Sequence, residues 1–149
     1  MDLSRKWLAE FVDSPADDKE YCDAMTLSGS KVEGVTVEGT EIRNVVVGRV
    51  LAMERHPDSD HMWTCQVDAG RGAPLQIVTG AQNVNVGDLV PVALHDSWLP
   101  GGVHITAGTL RGVESNGMLC SYKELGMTDH DWPLSIVDGI FILNSDPDL

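Results

Sequence analysis

The sequence predicts a mainly β protein, built as a small five-stranded barrel with a short α/β segment at its N-terminus. About five strand-like runs rich in Val and Leu follow residue 44, and turn residues separate them roughly every ten positions. The chain of 149 residues fits one domain plus a small partner and can form a core without disulfides. The OB-fold is a five-stranded barrel of this length that commonly binds oligonucleotides. A two-sheet sandwich is the alternative that the same pattern allows.

Four longer runs carry the strand pattern, at residues 44–55, 61–69, 75–79 and 89–94. The turn residues HPDSD (56–60) and GRG (70–72) end the first two runs. A Pro-Gly-Gly turn at 100–102 reverses the chain between two shorter apolar pieces, and residues 140–143 form a last apolar run. These runs supply the strands of the predicted domain, which we place at residues 40–149.

The N-terminal segment, residues 1–39, has a different pattern. Apolar residues within 3–12 recur with helical spacing, which predicts a short amphipathic helix. The Ser-Pro pair at 14–15 marks its end. A second helical stretch covers residues 17–25, with acids at its start that suit the positive end of the helix dipole. A short extended piece follows at 31–37. The segment is too small to bury a core alone, so we expect it to belong to something larger.

Composition limits the setting in which the protein works. No run of about 18 apolar residues is present, so the sequence predicts no transmembrane helix. The first residues lack the basic and then apolar pattern of a secretory signal. The three cysteines are scattered and form neither a disulfide framework nor a CxxC zinc pair. We therefore expect a cytoplasmic protein without membrane contact.

The acidic charge argues against strong, non-specific binding of nucleic acid. Lys and Arg total 10 against 23 Asp and Glu, which gives a formal net charge of -13. Four basic and nine acidic residues precede Gly39, and six basic and fourteen acidic residues follow it. Neutralisation of phosphates supplies most of the affinity of non-specific binders, so any RNA contact must come from a local patch.

Several segments of the β region resemble the tRNA-binding OB domain. This module is found in synthetase β chains, in methionyl-tRNA synthetase tails and in free-standing tRNA-binding proteins. The matching segments are VVGRV (46–50) with HPDSD (56–60), LQIVTGAQNV (75–84), LPGG (99–102), and LRGVESNGMLCS (110–121) with KELG (123–126). The last pair is long and specific, so the resemblance implies the OB-fold and a tRNA partner.

The N-terminal segment narrows the resemblance to one kind of synthetase. LSRKWLAEFV (3–12) and LSGSKVEGV (27–35) resemble the opening of bacterial phenylalanyl-tRNA synthetase β chains. In that family the first segment is half of a split α/β domain into which the OB domain is inserted. The resemblance therefore implies that residues 1–39 are the first part of such a domain and that its second part lies beyond Leu149.

By resemblance, the whole enzyme attaches phenylalanine to tRNA with ATP and Mg²⁺, and the α subunit carries that chemistry. We expect this chain alone to be non-catalytic and to hold no cofactor, because it has no Walker-type G-x-x-x-x-G-K-[ST] loop and no recognisable nucleophile–base pair. Its expected partners are tRNA, the α subunit and the remaining β-chain domains, with no DNA. Two alternatives remain: a structural module that contacts other synthetase domains, and a free-standing tRNA-binding protein.

Five residues are candidates for tRNA contact beside the barrel mouth, where polar and basic groups could donate to phosphates and 2′-hydroxyls. They are Asn83, Arg111, Ser115, Ser121 and Lys123. For Ser115, a structural role in the turn at 115–117 is the alternative. For Arg111 and Lys123, the alternative is an ordinary solvated surface.

Two further groups of residues suggest base stacking and metal binding, but each has a simpler structural interpretation. Trp63, Trp98 and Tyr122 could stack unpaired bases, although packing in the core or against another domain is the favoured explanation. The histidines and acids at 56–61 lie across a Pro-Asp turn, which does not present the four-ligand face that zinc requires. We therefore predict a turn there and no metal site.

Overall fold

The computed structural model describes residues 1–128, 131 and 138–144. The chain divides into two compact units, Met1–Glu38 and Gly39–Leu149. Within the described residues, no helix is both long enough and apolar enough to cross a membrane.

The N-terminal unit contains two helices and little buried surface. Helix α1 spans Arg5–Leu8 and helix α2 spans Asp18–Leu27, and neither contains a buried residue. The Ser4 and Asp17 side chains accept hydrogen bonds from the first turns, which is the usual N-cap arrangement. The first predicted helix is therefore real but shorter than residues 3–12, and residues 31–37 form neither helix nor strand.

The second unit is an antiparallel β structure. Its strands are β1 (Arg43–Arg55), β2 (Trp63–Asp68), β3 (Leu75–Thr79), β4 (Leu89–Leu99), β5 (Val103–Ile105), β6 (Gly108–Leu110), β7 (Val113–Ser115) and β8 (Gly117–Leu119). In the main sheet the order is β3-β2-β1-β4-β5, and β8 also pairs with β4. Strands β6 and β7 form a separate hairpin. The four longer predicted strands correspond to β1 to β4.

The chain segment from β7 to β8 nearly closes the sheet into a barrel. On one side β8 pairs with β4, with Leu119 opposite Val92. On the other side the Asn116 amide donates to the Gln76 carbonyl of β3 at 2.8 Å. Strand order thus runs β1, β2, β3, β8 and β4 back to β1. The predicted five-stranded, OB-like barrel is confirmed, and the two-sheet sandwich is not what forms.

Inward-facing residues on these strands form one apolar core. Alternate positions are buried in the centre of β1 and in β2, which is the pattern of strands with one face on a core, whereas residues 90–94 of β4 are all buried. The centre of the core consists of Val50, Cys65, Val67, Ile77, Val90, Val92, Leu94 and Leu119. Gly48 lies where β1 crosses this core. A Cβ atom there would lie 2.6 Å from Val92 Cγ2 and 2.8 Å from Val67 Cγ1.

The outer side of β4 is covered by residues 120–127 and by the 140–144 segment. Phe141 donates its amide to the Cys120 carbonyl, and Leu143 donates to the Leu89 carbonyl. The Asn144 side chain donates to Asp88 at 2.7 Å. The apolar run predicted at 140–143 is therefore buried, but it is a connecting segment and not a strand of the main sheet.

Candidate nucleic-acid interface

The five residues predicted to contact tRNA fall into two groups by their surroundings. Ser115, Asn83 and Ser121 direct their polar atoms to partners inside the domain, whereas Arg111 and Lys123 are exposed. The two groups therefore differ in what they leave available to a bound RNA.

Ser115 belongs to the wall of the barrel. It is buried, and its Oγ accepts a hydrogen bond from the Val78 amide at 3.0 Å and donates to the Gly117 carbonyl at 2.9 Å. Val78 lies on β3, so this hydroxyl bridges the two strands where the backbone ladder is incomplete. A buried amide without a partner costs free energy, which gives the hydroxyl a structural role.

Asn83 ties the loop after β3 to the 140–144 segment. Its Nδ2 donates to the Ile140 carbonyl at 2.8 Å, and its Oδ1 accepts from the Ile140 amide at 2.9 Å. These two hydrogen bonds resemble the pair of N–H···O bonds that opposed residues of two antiparallel β-strands form with each other. The amide group is consequently occupied on both its donor and its acceptor side.

Ser121 and Lys123 lie in the turn that follows β8. The Ser121 amide and hydroxyl both donate to the Glu124 carboxylate, at 2.7 and 2.9 Å. This reciprocal arrangement fixes the turn in the manner of a capping box. Lys123 is exposed between these residues, and its ammonium group has no ion-pair partner in the described part of the chain. The turn thus presents one free cation beside one acid.

Arg111 lies at the tip of the β6–β7 hairpin and is exposed. Its φ of 47° and the φ of 82° at Gly112 give two consecutive left-handed residues, which is the geometry of a tight hairpin turn. The neighbouring Leu110 carbonyl lies 3.1 Å from Nε2 of His56, and this contact fixes the hairpin next to the end of β1. Arg111 therefore projects from a well-anchored turn.

His56 is a structural residue of that anchor. It is buried, its Nδ1 accepts from the Asp58 amide at 3.1 Å, and its Nε2 can donate to Leu110. Both ring nitrogens are engaged, so the ring has no lone pair left for a metal. In the described residues, no group of three or more His, Cys, Asp or Glu side chains is placed to hold a metal ion.

The aromatic candidates have three different surroundings. Tyr122 is buried against Phe141 and Leu143. Trp63 is half-buried, with the Arg55 guanidinium 5.1 Å above its ring. Trp98 is 40% exposed and stacks on the His104 ring at a centroid distance of 4.3 Å. Trp63 and Trp98 thus retain ring surface that a base can reach, and Tyr122 does not.

The two buried cysteines of the barrel, Cys65 and Cys120, are poor nucleophiles. Burial raises the pKa of Cys65 from 9.0 to about 11. Burial, with a smaller effect from Glu124, raises the pKa of Cys120 to about 12. The reactive thiolate form of both is disfavoured near neutral pH.

A cleft that the sequence analysis did not single out lies at the opposite end of β1 from Arg111. Its volume is about 370 Å³, and it is lined by Asn44, Arg71, Leu75, Leu94, His95 and Asn116. These residues come from four separate segments of the chain, so no local window of sequence shows them together. The only local signal is the GRG turn, which exposes Arg71 between two glycines.

The chain is similar to known proteins along its full length. Residues 45–138 match the family described as "Putative tRNA binding domain". The "Phenylalanine--tRNA ligase beta subunit" of Clostridium acetobutylicum is 51% identical over 144 residues, which are 97% of this chain and 18% of the relative. The proteins of the same name from Clostridium tetani and Symbiobacterium thermophilum are 50% and 47% identical, over 98% and 100% of this chain and 18% and 16% of the relatives.

The chain therefore spans less than a fifth of the length of these curated relatives. Among solved structures, the C-terminal domain of Plasmodium vivax p43 is 26% identical, with a TM-score of 0.44 and coverage of 54% of this chain and 46% of that one.

Proposed function

Because the chain belongs to the family of putative tRNA-binding domains, we propose that it is an accessory tRNA-binding part of a phenylalanine–tRNA ligase β subunit. The observation that carries this proposal is the similarity to ligase β subunits, which runs through both units and includes the N-terminal one. A free-standing tRNA-binding protein would not need that N-terminal unit, so this alternative has less support.

In this proposal, Arg111 and Lys123 contact RNA phosphates. Both are exposed cations on anchored turns, and Arg or Lys on a fixed turn is the usual donor to phosphate oxygens. Asn83, Ser115 and Ser121 act through the shape of the surface, because their polar atoms have partners within the domain. The net charge of -13 keeps the contact weak and local.

The chemistry of the whole ligase lies outside this chain in our proposal. ATP, Mg²⁺ and phenylalanine bind to the α subunit, and tRNA reaches the active site of the complete cytoplasmic enzyme. The described residues contain no group of His, Cys, Asp or Glu placed to hold a metal ion, and the sequence has no Walker-type phosphate loop. The role of this chain is to add contacts with tRNA.

A second role, in assembly, is favoured by the N-terminal unit. Trp7 is 59% and Phe11 is 72% exposed, and the two rings meet edge to face at 5.5 Å. Leu27, Val35 and Val37 are exposed as well. Apolar surface of this kind is typical of a segment that packs against further protein. This role is compatible with tRNA binding by the barrel.

The test is a salt titration of tRNA binding with the wild-type chain, Arg111→Ala and Lys123→Ala. Each phosphate contact contributes a slope of roughly -0.9 for duplex, or -0.7 for single strands, in log K against log salt. We expect each substitution to flatten the slope by about one and to lower the affinity similarly for all RNA sequences.

Lys31→Ala is the control, because it removes an exposed cation from the other unit. Unchanged slopes for both barrel variants would favour the assembly role alone. A steep wild-type slope, beyond about -5, would mean that a larger basic surface is in use.

A further inference from the structure

We propose that the cleft at the start of β1 binds one phosphate-bearing nucleotide of an unpaired RNA segment, with Arg71 and His95 as donors to the phosphate. This inference rests on the proposed function, since it identifies a second RNA contact on the same barrel. It concerns a place separate from Arg111, which is anchored beside the other end of β1.

Two of the strands that contribute to the cleft, β1 and β4, are irregular at this point. The register between β1 and β4 shifts between Arg43 and Val45. Asn44, which lies within this register shift, has a φ of 58°. Asp96 on the paired strand β4 has a φ of 61°. Asn44 is held in this conformation by its Nδ2, which donates to the His95 carbonyl at 2.7 Å. Non-glycine residues with positive φ are uncommon and cluster at functional sites.

The β2–β3 turn presents Arg71 at this cleft. Gly70 and Gly72 on either side have φ values of 69° and 86°, and the Gly70 amide donates to Asp68 Oδ1 at 2.9 Å. One guanidinium nitrogen of Arg71 lies 3.5 Å from Asn44 Oδ1, a long contact that orients the group. The residues that the structure describes leave the remaining N–H groups of the guanidinium without a partner, and their planar arrangement suits a phosphate.

His95 adds a donor whose direction is fixed. The Ala107 amide donates to His95 Nδ1 at 2.9 Å, so Nδ1 cannot carry the proton of the neutral ring. The proton is therefore on Nε2, which is left as a donor. The nearest acid along the chain, Asp96, is engaged with His104 at 2.7 Å. His95 lines the cleft, and its Nε2 has no hydrogen-bond partner among the described residues.

The other lining residues suit the sugar and base of a nucleotide. Leu75 and Leu94 provide apolar surface, and the side-chain amide of Asn116 has no hydrogen-bond partner in the described residues. None of the six lining residues is acidic, although the chain has 23 acids. In so acidic a chain, a cleft with an Arg, a His donor and two Asn is a local site for an anion.

The size and position of the cleft favour a single unpaired nucleotide. Its volume of 370 Å³ is near the lower end of the range for small-molecule sites, about 300–1,000 Å³. A nucleotide in a duplex has its base paired and stacked, whereas an unpaired one can enter a concave site. A strand that reached from Arg111 to this cleft would follow the length of β1.

The test is a nuclear magnetic resonance titration of the isotope-labelled chain of 149 residues. The probes are uridine, uridine monophosphate, a short oligouridylate, a short RNA duplex and tRNA. We expect the monophosphate, the oligouridylate and tRNA to shift the amide signals of Arg71, His95, Ala107 and Asn116. Uridine and the duplex should leave these signals in place.

Arg71→Ala should weaken binding of the monophosphate about tenfold or more, the range for a lost charge-assisted hydrogen bond. Arg71→Lys should recover part of the lost affinity, because lysine restores the positive charge but not the planar pair of donors of the guanidinium. Lys31→Ala, the charge-matched control, should bind as the wild type does.

The outcomes separate this proposal from the proposed function. If tRNA binds and its salt slope depends on Arg111 or Lys123 while the cleft signals stay unchanged, the cleft proposal is wrong and the proposed function stands. If the monophosphate shifts the cleft signals but tRNA binds nowhere on the chain, RNA is not the source of the nucleotide and the proposed function fails. Equal shifts with uridine would overturn the phosphate role of Arg71.

Discussion

The hydroxyl of Ser115 offers a direct test of whether this residue closes the barrel or contacts RNA. Ser115→Ala removes the acceptor for the Val78 amide and the donor to the Gly117 carbonyl, and it leaves the shape of the site almost unchanged. A buried amide without a partner costs about 1–3 kcal/mol. We therefore expect a loss of about 2 kcal/mol in the free energy of unfolding, from a total that is roughly 5–15 kcal/mol for a domain.

The measurement is urea unfolding followed by tryptophan fluorescence and circular dichroism. With a slope of about 1–3 kcal/mol per molar urea, the midpoint should fall by about 1 M. Ser121→Ala is the matched control, because its hydroxyl caps an exposed turn through Glu124, and it should cost only about 0.5–1 kcal/mol. A Ser115→Ala variant that kept its stability but lost tRNA affinity, measured where it is fully folded, would refute the structural role.

Three further predictions concern the core. Gly48→Ala should destabilise the barrel by about 2 kcal/mol or more, because the added Cβ would overlap Val92 and Val67, whereas Gly80→Ala, with nothing within 4 Å, should be close to neutral in the same urea assay. Cys65 and Cys120 should resist a thiol reagent at pH 8 until the protein unfolds, because burial raises the pKa of each. The same raised pKa values stabilise the folded state fully below about pH 9, and this stabilisation should be lost as the pH rises towards 11. Fast reaction of the reagent with all three thiols of the native protein would contradict the predicted protection of Cys65 and Cys120.

The strands that the sequence predicted well are those with a regular inward face. In β1 and β2 alternate side chains enter the core, as Val50 and Val67 do, whereas β4 shows as the continuous apolar run 89–94, whose residues 90–94 are all buried. This signal depends on local spacing alone. The Pro-Gly-Gly reversal at 100–102 was equally local, and the β4–β5 hairpin forms around it.

The strands that the sequence did not reveal depend on distant partners. Strands β6, β7 and β8 have three residues each, too few to show a period of two. Leu119 becomes part of the sheet because it pairs with Val92, which is far away in the chain. In the N-terminal unit, the apolar spacing at 3–12 predicted a longer helix than α1, although Trp7 and Phe11 remain exposed.

The candidate site could be predicted only in part. Exposure of Arg111 and Lys123 follows from their place in turns, which the sequence shows. The internal partners of Asn83 and Ser115 could not be foreseen, since Ile140 and Val78 lie 57 and 37 residues away. For the same reason the sequence does not predict the cleft with Arg71 and His95, which is assembled from four segments.

The 140–144 segment has a consequence for the order in which this domain assembles. Its hydrogen bonds to Asn83 and Asp88 each join residues more than fifty positions apart. The chain between them must therefore lose conformational entropy before these contacts add any stability. Barrels dominated by such distant pairings fold in milliseconds to seconds. As the chain is synthesised, strands β1 to β4 emerge before the 140–144 segment that covers the outer side of β4. Until then the apolar groups beneath that cover are exposed, and the nascent domain is at its most vulnerable to misassociation.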